Sequence, residues 1–140
     1  TLTYWIQLNE ISPAQIFGGY GNTQNCENFQ GGLDTTSGEL LSFFGWGECN
    51  HESTTNLTEL VDERFHHIAY VYNGSILTMY LDGVAIGSET LDLNTTASTL
   101  CVGGEVSGAS CVRLFNGNID EFRIYNRALT SGEIETFINN

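Results

Sequence analysis

The segment from Phe65 to Gly87 constrains the fold more than any other part of the chain. It reads FHHIAYVYNGSILTMYLDGVAIG, three strand-like runs separated by Asn-Gly and Asp-Gly. These dipeptides between alternating runs are strong hairpin signals, because both of their residues tolerate positive φ. The segment predicts an antiparallel three-stranded meander in which Leu77, Met79 and Leu81 share one face.

Short strand-like runs continue on both sides of this meander. The 140 residues include 16 Gly and one Pro, and this punctuation of many short runs is typical of an all-β sandwich. Further strands are predicted in LTYWIQL, AQIFGGY, ENFQGGLD, GELLSFFGWG, STLCVGG and CVRLF, and a loop in ECNHESTTN. We therefore expect one domain over residues 1–140, with two antiparallel sheets.

The end of the chain combines a strand with a helix start. In IDEFRIY the alternation places Asp120, Phe122 and Ile124 on one face, which we predict to be the core side. A carboxylate on that side must be paired, hydrogen-bonded or bound to a metal. Residues 130–133, Thr-Ser-Gly-Glu, form a capping box, which predicts one short C-terminal helix that plugs an end of the sandwich.

The charge balance limits the classes of partner. Seventeen acidic residues face four arginines, which gives a net charge of −13. This charge repels phosphate backbones, so no nucleic-acid partner is expected, and it suits a cation or a neutral partner such as a glycan. A purely solubilising acidic surface is the alternative. No apolar run approaches the roughly 20 residues of a membrane span, so membrane insertion is not expected.

The four cysteines, Cys26, Cys49, Cys101 and Cys111, lack the CxxC spacing that is typical of zinc sites. An even count without metal spacing favours two disulfides and an extracellular protein. Of the three possible pairings we prefer 26–49 and 101–111, because the second would staple a hairpin. Free buried thiols are the alternative. Three N-glycosylation sequons, at Asn56, Asn73 and Asn94, fit the same location.

Four pieces of the chain, taken in order, resemble the laminin-G-like branch of the concanavalin A-like lectin/glucanase jelly rolls. They are LTYWIQL with Trp5, RFHHIAYVYNG, LTMYLDGVAIG and FNGNIDEFRIYNRALTSGEI. The resemblance implies a jelly-roll sandwich. One departure is Phe65, which stands where the family usually has Trp. Another is that the sequence starts almost at the Trp strand, whereas the family usually has another strand or two ahead of it. Either that piece was trimmed or left unseen, or the edge is supplied differently.

This resemblance implies a structural calcium ion, with Asp120 at the position of a family ligand, and the acidic composition suits that ion. The alternative is that Asp120 caps backbone N–H groups of a neighbouring loop. The apparently missing first strand implies an open sheet edge, which could accept a strand from a neighbouring protomer.

Aromatic side chains flanked by polar groups are typical of sugar sites, because a pyranose offers an apolar face and a rim of hydroxyls. Two segments, GGYGNTQNCEN and GWGECNHES, supply such residues, and a 26–49 disulfide would hold them together. The candidate ligand-binding residues are Tyr20, Asn22, Asn25, Trp46 and His51. A place in the core is the alternative for Trp46, and core positions are predicted for Trp5, Phe43, Tyr80 and Phe122.

Catalysis is not expected from the sequence. A retaining glycosidase needs two carboxyl groups about 5–5.5 Å apart, which an E-x-D-x-E run on a strand would supply, and no such run occurs. His66 and His67 are adjacent on a strand and point to opposite faces, so we interpret both as structural.

We conclude from the sequence that this is an extracellular, non-catalytic module that binds a carbohydrate or glycoprotein in adhesion or polysaccharide targeting. One alternative is a structural subunit of a glycosylated fibre or pilus-like filament, completed at its open edge by a neighbouring protomer. A weaker alternative is a glycoside hydrolase.

Overall fold

In the computed structural model, strands follow one another until a single helix near the C-terminus. The structure describes residues 1–10, 15–22, 27–33, 40–44, 51–55, 60, 62–90, 92–93, 95–96 and 99–139, and at 22, 33, 40–44 and 51–55 the backbone alone. The elements in these ranges are β1 (Leu2–Leu8), β2 (Gln15–Asn22), β3 (Glu27–Leu33), β4 (Leu40–Phe44), β5 (His51–Thr55), β6 (His66–Tyr72), β7 (Ile76–Leu81), β8 (Val84–Thr90), β9 (Thr99–Val102), β10 (Glu105–Ser107), β11 (Ser110–Val112), β12 (Gly117–Ile124) and α1 (Ser131–Ile138).

Two five-stranded antiparallel sheets form the body of the domain. Sheet A has the order β12-β1-β6-β7-β8, and sheet B has the order β5-β4-β3-β2-β9. A small hairpin, β10-β11, contacts β2 and β9 of sheet B. The predicted all-β fold with antiparallel sheets and one short C-terminal helix is confirmed.

The predicted meander is β6-β7-β8, and its two turns differ. Asp82 and Gly83 both have positive φ, 47° and 81°, as expected for a two-residue hairpin turn. The first connection has three residues, 73–75, and Gly74 takes the positive φ of 100°. There, Asn73 Oδ1 accepts hydrogen bonds from the backbone N–H groups of Ser75 and Ile76 at 3.0 and 2.8 Å.

Apolar side chains from the facing sides of both sheets fill the space between them. Leu77, Met79 and Leu81 are all buried on one face of β7, as the alternation predicts. The other main members of this core are Leu2, Tyr4, Ile6, Leu8, Phe17, Phe29, Leu60, Ile68 and Tyr70. Burial of such side chains supplies the main stabilisation of a sandwich, at about 25 cal/mol per Å².

The aromatic residues predicted for the core divide among three environments. Phe122 packs on the main core and stacks on Tyr4 with ring centroids 5.6 Å apart. Tyr80 belongs to a second apolar cluster beneath α1. Trp5 is half-buried on the outer face of sheet A, so its predicted core position is wrong. The side chain of Phe43 lies outside the described part of the chain.

The polar stretch 48–56 was predicted to be a loop, and this prediction is wrong for its second half. Residues 51–55 form β5, which pairs in register with β4 from Leu40 opposite Thr55 to Phe44 opposite His51. β5 is the edge strand of sheet B, where polar side chains are tolerated and discourage pairing with other chains. Polarity alone therefore did not distinguish an edge strand from a loop.

A β-bulge changes the predicted face of Asp120. Trp5 pairs with Asp120 and Thr3 with Arg123, so one extra residue is inserted in β12 between these pairs, where Glu121 has a φ of 51°. Phe122 still points toward the core, but Asp120 is exposed on the outer face beside Trp5. The prediction that Asp120 starts on the inner side is wrong, because strict alternation does not survive a bulge.

Helix α1 begins with the predicted capping box. Thr130 Oγ1 accepts from Glu133 N–H, and the Glu133 carboxylate accepts from Thr130 N–H at 2.8 Å. The prediction that the helix plugs an end of the sandwich is wrong. Instead it packs Ile134 and Phe137 on the outer face of sheet A, against Ala69 and the rest of the second cluster. No helix in the described ranges is long and apolar enough to cross a membrane.

A disulfide joins Cys101 of β9 to Cys111 of β11, with Cα atoms 5.8 Å apart. It fixes the β10-β11 hairpin to the edge strand of sheet B, and the predicted 101–111 pairing is confirmed. Cys26 and Cys49 lie outside the described residues, so their predicted pairing stays a prediction.

Removing this disulfide with the pair Cys101→Ala and Cys111→Ala should lower the free energy of unfolding by about 2–3 kcal/mol, because the unfolded chain gains conformational entropy. Urea denaturation of the variant and the native protein measures the loss. Both proteins keep Cys26 and Cys49, which controls for other thiol chemistry. An unchanged midpoint and slope would contradict a stabilising role.

His66 is held between two carboxylates at one end of β6. Its Nδ1 lies 2.7 Å from Asp82 Oδ2 and its Nε2 lies 2.9 Å from Asp62 Oδ1, while Asp82 Oδ1 accepts from His67 N–H at 2.8 Å. Burial opposes the charged imidazolium, but the hydrogen bonds to both aspartates outweigh it and raise the pKa of His66 above 6.5. The predicted structural role of His66 agrees with these contacts.

The raised pKa of His66 makes its contribution pH-dependent. The stabilisation is fully present below pH 6.5 and is lost as pH rises through the raised folded value. We expect His66→Gln to cost about 2 kcal/mol at pH 5.5 and clearly less at pH 8.5. Thermal and urea denaturation of both proteins from pH 5.5 to 9 tests this. An equal cost at all pH values would contradict it.

Candidate functional site

A cavity of about 250 Å³ opens between the two sheets at one end of the sandwich. We call it the end cavity. It lies where β1 and β7 begin and where β6 and β12 end. Its wall includes five aromatic rings, which belong to Tyr20, Phe29, Tyr70, Tyr72 and Tyr125. The volume is close to the lower limit of typical ligand pockets, about 300 Å³, and suits one monosaccharide residue.

Hydrogen-bonding groups are placed among these rings. Tyr20 Oη donates to Thr95 Oγ1 at 3.2 Å, and Tyr72 Oη accepts from Leu93 N–H at 3.3 Å. Asn126 is exposed at the rim and carries a carboxamide. A ligand with hydroxyl groups could therefore meet both donors and acceptors in this cavity.

Two tyrosines of the main core stand on neighbouring strands, and one of them, Tyr70, lines the end cavity. Tyr4 and Tyr70 are buried, with ring centroids 6.2 Å apart, and burial raises the pKa of both phenols. Gly31 makes room for them: a Cβ at this position would lie 2.6 Å from Tyr70 Oη and 2.7 Å from Tyr4 Oη. These hydroxyls therefore stay protonated and polar within the core.

The strand register places three predicted ligand-binding residues at this end of the domain. Tyr20 lines the end cavity. Asn22 ends β2. His51 begins β5 opposite Phe44, the last residue of β4. Because β2 and β4 run in the same direction, both residues lie at the same end of sheet B as Tyr20. β2 and β5 are three strand spacings apart, about 14 Å. Side-chain positions of Asn22 and His51, and all of Asn25 and Trp46, lie outside the described residues.

Several residues of the end cavity were not predicted as site residues. Tyr70 and Tyr72 were interpreted only as part of a strand, although tyrosines two residues apart share a face. Tyr125 and Asn126 follow β12, in a region that was interpreted only as the approach to the helix. Their convergence depends on β6 and β12 ending at the same place, which local sequence patterns do not encode.

The described part of the chain does not assemble calcium ligands around Asp120. No group of three His, Cys, Asp or Glu residues in the described ranges is placed to hold a metal ion. Asp120 Oδ1 accepts from the N–H of Glu121 at 2.7 Å, and the Glu121 carboxylate pairs with Arg123 at 2.9 Å. Nothing in the described ranges tests the calcium ion that the sequence implies, so calcium binding stays a prediction of the sequence.

The side chain of His67 is fully buried. It lies between the rings of Trp5 and Phe137, whose centroids are 5.2 and 5.7 Å from the centroid of the imidazole ring. Burial lowers its pKa to about 4, and the Arg123 charge contributes to the shift. The ring is therefore neutral near pH 7. Neither ring nitrogen has a hydrogen-bond partner within the described structure. A packing role agrees with the prediction that His67 is structural.

The fold is shared with several solved structures. The Ruminococcus gnavus IT-sialidase CBM40 has a TM-score of 0.78 at 11% identity, over 98% of this chain and 80% of that one. The same module bound to alpha2,3 sialyllactose has a TM-score of 0.76 at 12% identity, with the same coverage. Domain 4 of AbnA, a GH43 extracellular arabinanase from Geobacillus stearothermophilus, in complex with arabinotriose, has a TM-score of 0.64 at 19% identity, over 98% of this chain and 65% of that one.

The family comparison agrees with the resemblance of the sequence motifs. No curated protein matches the chain. The family model Laminin_G_3, described as concanavalin A-like lectin/glucanases superfamily, matches residues 1–135. With two antiparallel jelly-roll sheets and this match over nearly its whole length, the chain belongs to the Laminin_G_3 family of the concanavalin A-like lectin/glucanases superfamily.

Proposed function

We propose that this protein is a non-catalytic carbohydrate-binding module that uses the end cavity as its binding site. The observation that carries the proposal is the wall of the end cavity, where tyrosine rings stand beside hydroxyl and carboxamide groups. Rings of this kind contact the apolar face of a sugar, and the polar groups bond its hydroxyls. The sialyllactose and arabinotriose bound to the similar modules support a glycan as ligand.

The polar groups of the end cavity favour binding rather than hydrolysis. Its described lining carries hydroxyls, a carboxamide and the Arg127 guanidinium but no carboxyl side chain, and the pKa of Tyr70 is raised by burial. Such groups hydrogen-bond a sugar but are poor general acids and bases near neutral pH. Adhesion to a glycoprotein or targeting of a polysaccharide follows as the biological role that we propose.

An extracellular location is part of this proposal. The Cys101–Cys111 disulfide supports it, because structural disulfides persist in oxidising compartments. Asn73 is exposed in the β6–β7 turn, where a sequon could carry a glycan, while Asn56 and Asn94 lie outside the described residues.

Binding to an array of neutral and sialylated glycans, with the folded protein, tests the proposed function. Tyr20→Ala should weaken the affinity for the best-bound glycan about tenfold or more, because it removes a ring and a hydroxyl from the cavity wall. A tenfold loss corresponds to about 1.4 kcal/mol of binding free energy. Val84→Ala, at a residue 66% exposed on β8, is the matched control and should bind normally. No bound glycan, or equal binding by Tyr20→Ala, would contradict the proposal.

Assembly through an open sheet edge is a second candidate function. β12 is the edge strand of sheet A and pairs only with β1 in the described ranges. Three apolar residues near this edge are about half exposed: Ile124 at 49%, and Leu100 and Val102 on β9 at 50% each. A strand from a neighbouring protomer could pair with β12 and cover them, as in a fibre.

This second candidate predicts concentration-dependent association. Light scattering after size-exclusion chromatography should give the masses of oligomers, and electron microscopy in negative stain should show threads. Both are expected because each protomer would add a strand to sheet A of its neighbour. Ile124→Lys should shift the population to monomers, since it places a charge in the covered strip. A monomer at every concentration, with no threads, would contradict assembly and leave the carbohydrate-binding proposal intact.

A further inference from the structure

We propose that the protein has a second carbohydrate site, on the outer face of sheet A beside α1, and that this site takes an uncharged saccharide. We call it the outer cleft. Its volume is about 560 Å³, which lies within the usual range of ligand pockets, about 300–1,000 Å³. The inference depends on the proposed carbohydrate-binding function for its class of ligand, but it uses residues that do not line the end cavity.

The outer cleft lies over two neighbouring cross-strand rows of sheet A, which contribute Trp5, Asp120 and Arg123 to its lining. In the first row Trp5 lies between Asp120 of β12 and His67 of β6. In the second row Thr3 lies between Arg123 and Ala69. The bulge at Glu121 falls between the rows, so Asp120 and Arg123 both reach the outer face although they are three residues apart. Regular alternation would have sent one of them to the core.

Aromatic side chains surround the outer cleft on three sides. Trp5 of β1 is half-buried, Phe65 is 42% exposed just before β6, and Phe137 comes from α1. The guanidinium of Arg123 lies 5.1 Å from the ring centroid of Phe137, which fixes its position by a cation–π contact. An exposed ring such as that of Phe65 offers a surface on which the apolar face of a sugar can lie.

The charges in the outer cleft favour a neutral ligand with hydroxyl groups. Asp120 and Glu121 provide carboxylates and Arg123 provides a guanidinium within the same cleft. An anionic ligand would be repelled by the two carboxylates, and a cationic ligand would be repelled by the guanidinium of Arg123. A sugar hydroxyl both donates and accepts, so it can bond a carboxylate and a guanidinium without a net charge of its own. The net charge of −13 also disfavours an acidic saccharide.

Several unpartnered polar atoms lie in the same two rows. Thr3 Oγ1, both ring nitrogens of His67 and Arg123 Nη1 are buried without a hydrogen-bond partner in the described structure. Thr3 and His67 are fully buried side chains. Buried polar atoms without partners are costly, by about 1–3 kcal/mol each, and native proteins contain few of them. Of these atoms, Arg123 Nη1 belongs to a residue that lines the outer cleft, where a ligand hydroxyl can accept a hydrogen bond from it.

Titration of the ¹⁵N-labelled full chain, observed by amide and indole NMR signals, tests the outer cleft. The probes are cellobiose, lactose, mannobiose, arabinotriose and α2,3-sialyllactose. We expect at least one neutral saccharide to shift the Trp5 indole signal and the amides of Phe65 and Phe137. Sialyllactose at the same concentration should leave these signals in place.

Two variants probe the contacts, because each removes one exposed group from the outer cleft. Phe65→Ala and Asp120→Ala should each weaken, at least tenfold, the saccharide affinity that is measured from the Trp5 indole signal. Val84→Ala, on the far edge of sheet A, should leave it unchanged. Circular dichroism verifies that each variant is folded before it is titrated.

The outcomes separate this inference from the proposed function. Shifts confined to end-cavity residues such as Tyr20 and Tyr72 would overturn the outer cleft and support the end cavity. Shifts at Trp5 that survive both variants, or an equal response to sialyllactose, would also overturn the inference. No shift in either region with any probe would overturn both proposals.

Discussion

The pairing of β1 with both β12 and β6 is the interaction on which the rest of this domain depends. It joins the first described strand to the last one, with Leu2 opposite both Ile124 and Tyr70. The inner face of this three-strand unit carries Tyr4 into the main core, and its outer face carries α1. The end cavity begins where β1 begins, and the outer cleft lies on the outer face of the same strands. Disrupting β1 would therefore remove both candidate sites together with the core.

The scarce positive charges are used for local structure. Each arginine is ion-paired with an acidic residue close to it in sequence or fold: Arg64 with Asp62, Arg113 with Glu105, Arg123 with Glu121, and Arg127 with Glu133. The Arg127 pair reinforces the start of α1, because Glu133 is also part of the capping box. The four arginines are therefore tied to local acidic partners in the fold.

Local signals predicted the elements well where the signal was strong. The Asp82-Gly83 turn, the capping box at Thr130 and the buried face of β7 all follow from residues within a few positions of one another. Asp120 shows where such reasoning stops. Its face depended on a bulge in the pairing of β12 with β1, which the alternation of residues in β12 does not reveal. β5 is a second case, because an edge strand can be as polar as a loop.

The sequence by itself predicted most of the antiparallel strands, the helix start and the acidic character, and it favoured the cysteine pair 101–111, because each depends on short-range spacing or on composition. Tertiary structure alone decided where α1 packs and which side chains meet in the two cavities. Tyr20 and Asn126 are far apart in the chain and meet at the end cavity only because β2 and β12 lie in opposing sheets. Trp5 and Phe137 meet at the outer cleft only because α1 folds back over sheet A. Such contacts depend on how the two sheets and the helix pack on one another, and the local periodicity of the sequence does not specify that packing.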